Sequence, residues 1–250
     1  MPSTVLFENK NHRNILLEDF GHGQAVQVNQ HLIVHSDAGL ILDPGGHKVF
    51  SRAMSETNAL LGSGNLRYIF FSHQDPDIVA AANGWLMTTD AVAYVSALWV
   101  RFVPHFGLDQ LVVNRLRAIP DQGMCLDMEG CRFTFLPAHF LHSPGNFQVY
   151  DPISKILYSG DLGASLGTEY VEVPDFGEHV KYMEGFHRRY IASGKVMRSW
   201  AKMVRSLDIE IIAPQHGAFL RGKQMVRQFV DWCEGLECGV DVLPEFALPV

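Results

Sequence analysis

Four hydrophobic runs of the chain stop on residues that can hold a metal. The first is "FSHQDPDIVAAANGW", Phe71 to Trp85, where His73, Asp75 and Asp77 crowd into five positions after the apolar run "LRYIFF". The others are "FLPAHFLHS" with His142, "LYSGDLG" with Asp161 and "IIAPQHG" with His216. Each segment alone also fits ordinary turn or helix-cap chemistry, in which Asp, Ser and Pro are frequent. Together they supply the mixed imidazole and carboxylate donors that Zn, Fe or Mn take. Asp161, with two oxygens, can bridge two ions, so the set points to a binuclear site. In open α/β architectures ligand sites gather at strand ends, where loops converge on one edge, and four such ends imply one site.

The elements that must position these residues read as an alternation of strands and helices. "AVQVNQHLIVHS" and "GLILDPGG" are β-rich runs around the turn "SDAG", as in a meander. "KVFSRAMSETNALLGS" has helical spacing, "LRYIFFSH" is a short strand, and "DIVAAANGWLMTT" reads as a helix with Asp77 near its start. A strand "AVAYVS" and an apolar helix "ALWVRFV" follow. The middle returns to strands at "CRFTFLPAH", "NFQVYDP" and "KILYSGD", the last two joined by the turn "DPIS". A helical region covers roughly 178 to 207, "IEIIAPQHG" is a further strand, and "GKQMVRQFVDWCEGLE" a final helix.

Composition narrows the function classes. The 250 residues are 47% hydrophobic, enough for a sizeable core, and no repeat or low-complexity linker divides them. A net charge of −7 leaves no basic stripe for a phosphate backbone, so nucleic acid is not an expected partner. No run has the length of a membrane span, and the start, "MPSTVLFENKNHR", lacks a secretion signal, so the expected location is the cytoplasm, with no membrane partner. Cys125, Cys131, Cys233 and Cys238 match no common zinc or disulfide spacing and read as buried or incidental thiols. Of the twelve histidines, His12, His22, His31, His35, His47, His105, His179 and His187 stand singly and read as surface or hydrogen-bonded side chains.

"SHQDPDIVAAANGW", "LHSPGN", "YSGDLG" and "APQHG" resemble, in order and spacing, the metal motifs of the metallo-β-lactamase superfamily. Within it they look most like the diiron domain of flavodiiron proteins, which implies a four-layer αββα sandwich of the α/β class. The hydrolase branches carry His-x-His-x-Asp-His in the first motif, and flavodiiron proteins a Glu in place of its second His. Here the residues are His73, Asp75, Asp77 and Ile78. The carboxylate shifts the set from nitrogen-rich, suited to zinc, toward oxygen-rich, suited to iron.

The resemblance implies one iron held by His73, Asp75 and His142 and a second by Asp77 and His216, with Asp161 between them. Asp75 is one methylene shorter than the family's Glu. Ile78 replaces a His ligand of the second iron and cannot coordinate, so that iron keeps two of its three terminal ligands. His139, three residues before His142, is the local candidate to fill the gap; a supporting or surface role is the alternative. Asn146 and Tyr158 are candidates to support the site, and Trp85, Met87 and Phe140 to wall it. The 178 to 207 segment, with Tyr182, Phe186, His187 and Tyr190 in helical register, is a candidate cover or dimer face.

Flavodiiron proteins carry a flavodoxin-like domain after the diiron domain. In this chain the expectation is a single metallo-β-lactamase-like diiron domain over residues 1–250, with no flavodoxin domain and no FMN. The chain is similar to the stand-alone oxygen-binding diiron proteins linked to bacterial chemotaxis. That similarity implies two non-haem iron ions, O2 or NO as ligand, an O2-derived bridging ligand in a peroxo-diferric state, and an oxygen sensor that signals to a chemoreceptor or other signalling protein. A homodimer is the implied assembly. Two alternatives stay open: an O2 or NO reductase of flavodiiron type served by an external electron donor, and a binuclear zinc hydrolase acting through a metal-bound hydroxide.

Overall fold

The structure is a computed structural model describing residues 3–17 and 27–249. His22 and the first two residues of "AVQVNQHLIVHS" lie outside them. The apolar runs of the first third form strands β1 (Ser3–Glu8), β2 (His12–Leu17), β3 (Gln30–His35) and β4 (Ala38–Leu42), an antiparallel meander. Three strands then add in parallel: β5 (Asn65–Phe70), β6 (Val92–Ser96) and β7 (Leu116–Ile119). Parallel neighbours need crossovers. The first is α1 (Phe50–Leu61), and the second holds α2 (Pro76–Val79) and α3 (Ala82–Thr88).

The second sheet begins with β8 (Met124–Met128), β9 (Cys131–Pro137), β10 (Phe147–Asp151) and β11 (Ile156–Gly160), paired antiparallel in turn. β12 (Ile211–Pro214) joins β11 in parallel and β13 (Leu220–Arg221) closes the edge. The β11 to β12 crossover holds α4 (Phe176–Tyr190) and α5 (Gly194–Val204), and α6 (Lys223–Gly235) packs beside them.

Three apolar clusters separate four layers. α1 to α3 cover the outer face of the seven-stranded sheet, and α4 to α6 cover that of the six-stranded sheet. Between the sheets lie Phe70, Phe133, Phe135 and Phe147, all at most 1% exposed, with the Phe70 and Phe135 rings 4.9 Å apart. Each such side chain contributes about 1.5–3 kcal/mol relative to exposure. Because both faces of the central strands are covered, they read as continuous apolar runs rather than alternating ones. The arrangement is the αββα sandwich expected from the sequence.

A polar knot sits inside this layer. Asp151 accepts hydrogen bonds from His12 Nε2 (2.7 Å), Asn14 Nδ2 (2.7 Å) and Ser154 Oγ (2.6 Å), tying β2 of one sheet to the β10–β11 hairpin of the other.

Three helix expectations change. "DIVAAANGWLMTT" is two helices, α2 and α3, separated by a turn at Ala80 and Ala81. "ALWVRFV" is a series of turns leading into a short 3-10 segment, Val103–Phe106. Its Ala97 N–H pairs with the Ile119 carbonyl, the Trp99 and Val100 N–H groups bond back to the Ser96 carbonyl, and Pro104, which has no N–H to give, prevents a continuous helical ladder. The region from 178 to 207 is two helices, not one. α4 ends at Ile191, whose extended backbone (ψ 136°) turns the chain, and α5 restarts at Gly194, whose N–H is held by Asp241.

Candidate metal centre

β4 and β5 run parallel, as do β11 and β12, and β9 runs parallel to β11 through β10, so their C-terminal ends share an edge. The structure brings all six sequence-predicted residues to that edge. His73, Asp75 and Asp77 follow β5, His142 follows β9, Asp161 follows β11, and His216 follows β12. Pro76 opens α2 as its first residue, where a missing N–H costs nothing, and this sharp start sends Asp75 and Asp77 toward the site.

Asp161, 3% exposed, stands at the centre. Its Oδ2 lies 3.8 Å from His73 Nε2 and 3.6 Å from His142 Nε2, while its Oδ1 lies 3.5 Å from His216 Nε2. Asp75 Oδ2 is 2.9 Å from His142 Nε2 and 3.5 Å from His73 Nε2, and Asp77 Oδ2 is 3.5 Å from His216 Nε2. Two groups of donors result. His73, Asp75, His142 and Asp161 Oδ2 surround one position, and Asp77, His216 and Asp161 Oδ1 surround a second. The shorter Asp75 side chain therefore reaches both imidazoles of its group.

These separations suit shared cations. Ligands at about 2.1 Å from a tetrahedral metal stand roughly 3.4 Å from one another, near most of the distances seen. Asp161 Oδ1 is buried with no hydrogen-bond partner, and such an atom is costly unless a partner compensates it. The donor atoms of His73, His142 and Asp161 all lie within 4.8 Å of one another. This first group fits a transition-metal ion, and His216, 3.5 Å from both Asp77 Oδ2 and Asp161 Oδ1, supplies with them the donors for a second.

The surroundings aim each ligand. His216 Nδ1 lies 2.5 Å from the Gln27 carbonyl oxygen, which can only accept, so Nδ1 carries the proton and Nε2 presents its lone pair. Ser72 Oγ contacts His73 Nδ1 at 2.9 Å and leaves Nε2 facing the carboxylates. Gln74 donates to Asp75 Oδ1 (3.0 Å) and accepts from Ser143 Oγ (2.6 Å), which keeps Asp75 Oδ2 for the site. His142 has φ +90° and Phe140 φ +65°, left-handed backbone that non-glycine residues rarely adopt. Asn146, buried, holds this turn by donating to the Leu141 carbonyl at 3.0 Å. Gly217, after His216, has φ +77°, and a Cβ there would stand 2.0 Å from Ser165 Oγ.

Electrostatics follow the same grouping. Burial works to lower His73, but the carboxylates of Asp161, Asp75 and Asp43 outweigh it and push the imidazole up to about 9. Burial raises Asp75, and hydrogen bonds from His142 and His73 overcome it, holding that carboxyl well below its ordinary range. Asp77 is raised, chiefly by burial with Asp161 adding to it against the pull of His216. The raised His73 imidazole and the lowered Asp75 carboxyl are thus set by one another and by Asp161.

Asp43 belongs to this site and was not among the expected residues. Its Oδ1 accepts the Ser72 N–H at 2.7 Å, and burial pushes it up to about 6. The run "GLILDPGG" carried the signal, since it too stops on an acidic residue at a strand end.

Other expectations change. His139 donates to or accepts near no ligand; its Nε2 lies 2.8 Å from the Asp121 carbonyl oxygen and its ring meets Phe147 edge-on. Tyr158 lies between the sheets, its hydroxyl accepting from Asn14 Nδ2 at 2.8 Å, away from the ligand groups. Trp85 is fully buried against Phe50 in the outer apolar layer, while Met87 and Phe140 are each 48% exposed. The cavity over the site, about 670 Å³, is walled instead by Val28, Val49, Leu166, Phe186 and Tyr190. Phe186 and Tyr190, from α4, stack on each other at 4.8 Å and pack on His142 at 5.9 and 5.5 Å, so α4 does cover the pocket. His187 points inward, accepting the Gly163 N–H and donating to the Met183 carbonyl.

A family model described as ODP family beta lactamase matches residues 26–217. The structure titled "Peroxy diiron species of chemotaxis sensor ODP" is 41% identical, covers 97% of this chain and 98% of its own, and superposes with a TM-score of 0.86. The apo state of chemotaxis sensor ODP from T. denticola is also 41% identical, with 96% and 97% covered and a TM-score of 0.85. A flavo di-iron protein mutant from Thermotoga maritima is 16% identical over 94% of this chain and 61% of that one, with a TM-score of 0.74, a likeness of fold. No curated protein matches the sequence.

Proposed function

Since the chain belongs to the ODP beta-lactamase family, we propose that it is a non-haem diiron oxygen-binding protein that reports O2 to a chemotaxis receptor. The observation that carries this reading is Asp161, a buried carboxylate whose two oxygens face two separate imidazole groups. His73, Asp75 and His142 would hold one ion, Asp77 and His216 the other, and Asp161 both. When bound, a pair of ferrous ions supplies the electrons and open coordination that O2 requires.

The chain's own residues do the rest. Gln27 and Ser72 set the imidazole orientations, and Gln74 and Asn146 fix the carboxylate and the left-handed turn. Phe186, Tyr190, Leu166 and Val49 line an apolar approach that limits water and suits a small apolar gas. A receptor would read the altered charge and geometry of this edge. NO is a second ligand of the same size class, and a separate protein is the natural source of electrons for any re-reduction. Among the described residues no helix is long and apolar enough to cross a membrane.

Anaerobic loading with Fe(II), metal counting and an optical spectrum before and after O2 test the proposal. The expected result is two irons per chain and a new visible band on exposure to O2. No band, or a preparation that takes up zinc and stays colourless, would sink it. Sustained consumption of many O2 equivalents with an added donor would make the protein a reductase instead.

A further inference from the structure

The two ion positions are unequally furnished. The first has four donor atoms, from His73, Asp75, His142 and Asp161, and the second has three, from Asp77, His216 and Asp161. Ile78, beside Asp77, is fully buried in the apolar layer under the sheet. His139 is engaged with the Asp121 carbonyl and lines a separate cleft with Val196 and Trp200.

Three further polar side chains line the cavity among the described residues: His47, Lys48 and Tyr190. Tyr190 packs on His142, at the first position. A lysine ammonium has no lone pair to give. His47 has an imidazole, is exposed, and no hydrogen bond or ion pair to another described residue holds it. Its loop is seated against the second position: a Cβ on Gly46 would stand 3.0 Å from the Pro76 carbonyl oxygen and 3.5 Å from Asp77 Cα.

We propose that His47, on the loop between β4 and α1, is a terminal ligand of the second ion and takes the place that Ile78 cannot fill. This rests on the diiron reading above. The first position is complete without His47, so the residue acts on one ion only. An imidazole on an exposed loop is free to join a bound ion and to leave when the position empties.

Anaerobic Fe(II) titration with metal counting, on wild-type protein and His47→Ala, tests it, with thermal melting of both metal-free proteins beside it. The expected result is two ions in the wild type and, in the variant, a second ion bound at least about tenfold more weakly, with the first ion and the metal-free melting temperature unchanged. Two ions held equally well by both proteins would overturn the role of His47 and leave the diiron reading intact. Equal weakening of both ions, or a lower metal-free melting temperature, would make His47 a structural residue and overturn the proposal. Fewer than two ions in the wild type overturns the diiron reading, and the proposal with it.

Discussion

Asp161 concentrates the chemistry of this protein in one side chain. A carboxylate at 3% exposure without a hydrogen bond to Oδ1 is tolerable only beside compensating charge. Asp161→Asn keeps the shape and removes that charge, so it is expected to weaken both ion positions by more than about tenfold while the metal-free fold remains; metal counting after dialysis checks this. A second residue-scale expectation concerns acid. Burial pushes His31 and His187 down to about 4, against 6.5 in an unfolded chain. Their contribution to stability is full above pH 6.5 and is lost as pH falls toward 4, because the unfolded chain takes up protons the folded one refuses. The loss is up to about 3 kcal/mol per group. Denaturant midpoints at pH 7 and pH 5 measure it, and a higher midpoint at pH 5 would contradict it.

At the scale of elements, the loops after the strands carry the ligands and the helices hold the loops. Asn146→Ala frees the Leu141 carbonyl and lets the turn around His142 relax from its left-handed backbone. First-ion affinity is expected to drop by about 10- to 100-fold, read by titration with a chromophoric chelator as competitor. Asp175→Ala removes the N-cap of α4, where the carboxylate accepts the Glu178 N–H at 2.9 Å. A loss of about 1 kcal/mol is expected, seen as a lower melting temperature. The helices and most strands were legible in the sequence because their apolar runs have the right period and length. β1, β2, β7, β8 and β13 were not, since strands of mixed composition are stabilised by the partners they pair with rather than by their own pattern. "ALWVRFV" misled because its apolar spacing is helical while Pro104 and the turn at Ser96 prevail. His139 and His142 look alike in sequence; a φ of +90° at His142, invisible there, separates them.

At the scale of the molecule, the ligand types were readable because each closes an apolar run, and Asp43 escaped notice because its "DPGG" context also describes an ordinary turn. The polar knot around Asp151 was equally hidden, since His12, Asn14 and Asp151 meet only when two sheets are stacked. His12→Ala would leave the buried Asp151 carboxylate short of one hydrogen-bond partner and is expected to cost about 1–3 kcal/mol with the metal content of the folded protein unchanged; chemical denaturation and metal counting on the same sample check both halves.

The division of the ligands between the sheets has a mechanical consequence. His73, Asp75 and Asp77 hang from the seven-stranded sheet, and His142, Asp161 and His216 from the six-stranded one. A pair of ions would rivet the two halves together at one seam, so filling the site stiffens the sandwich rather than a single loop. The opposite seam, fixed by the knot at Asp151, would act as the hinge. The tightness of the two leaves would then differ between the filled and the empty site with no separate moving part.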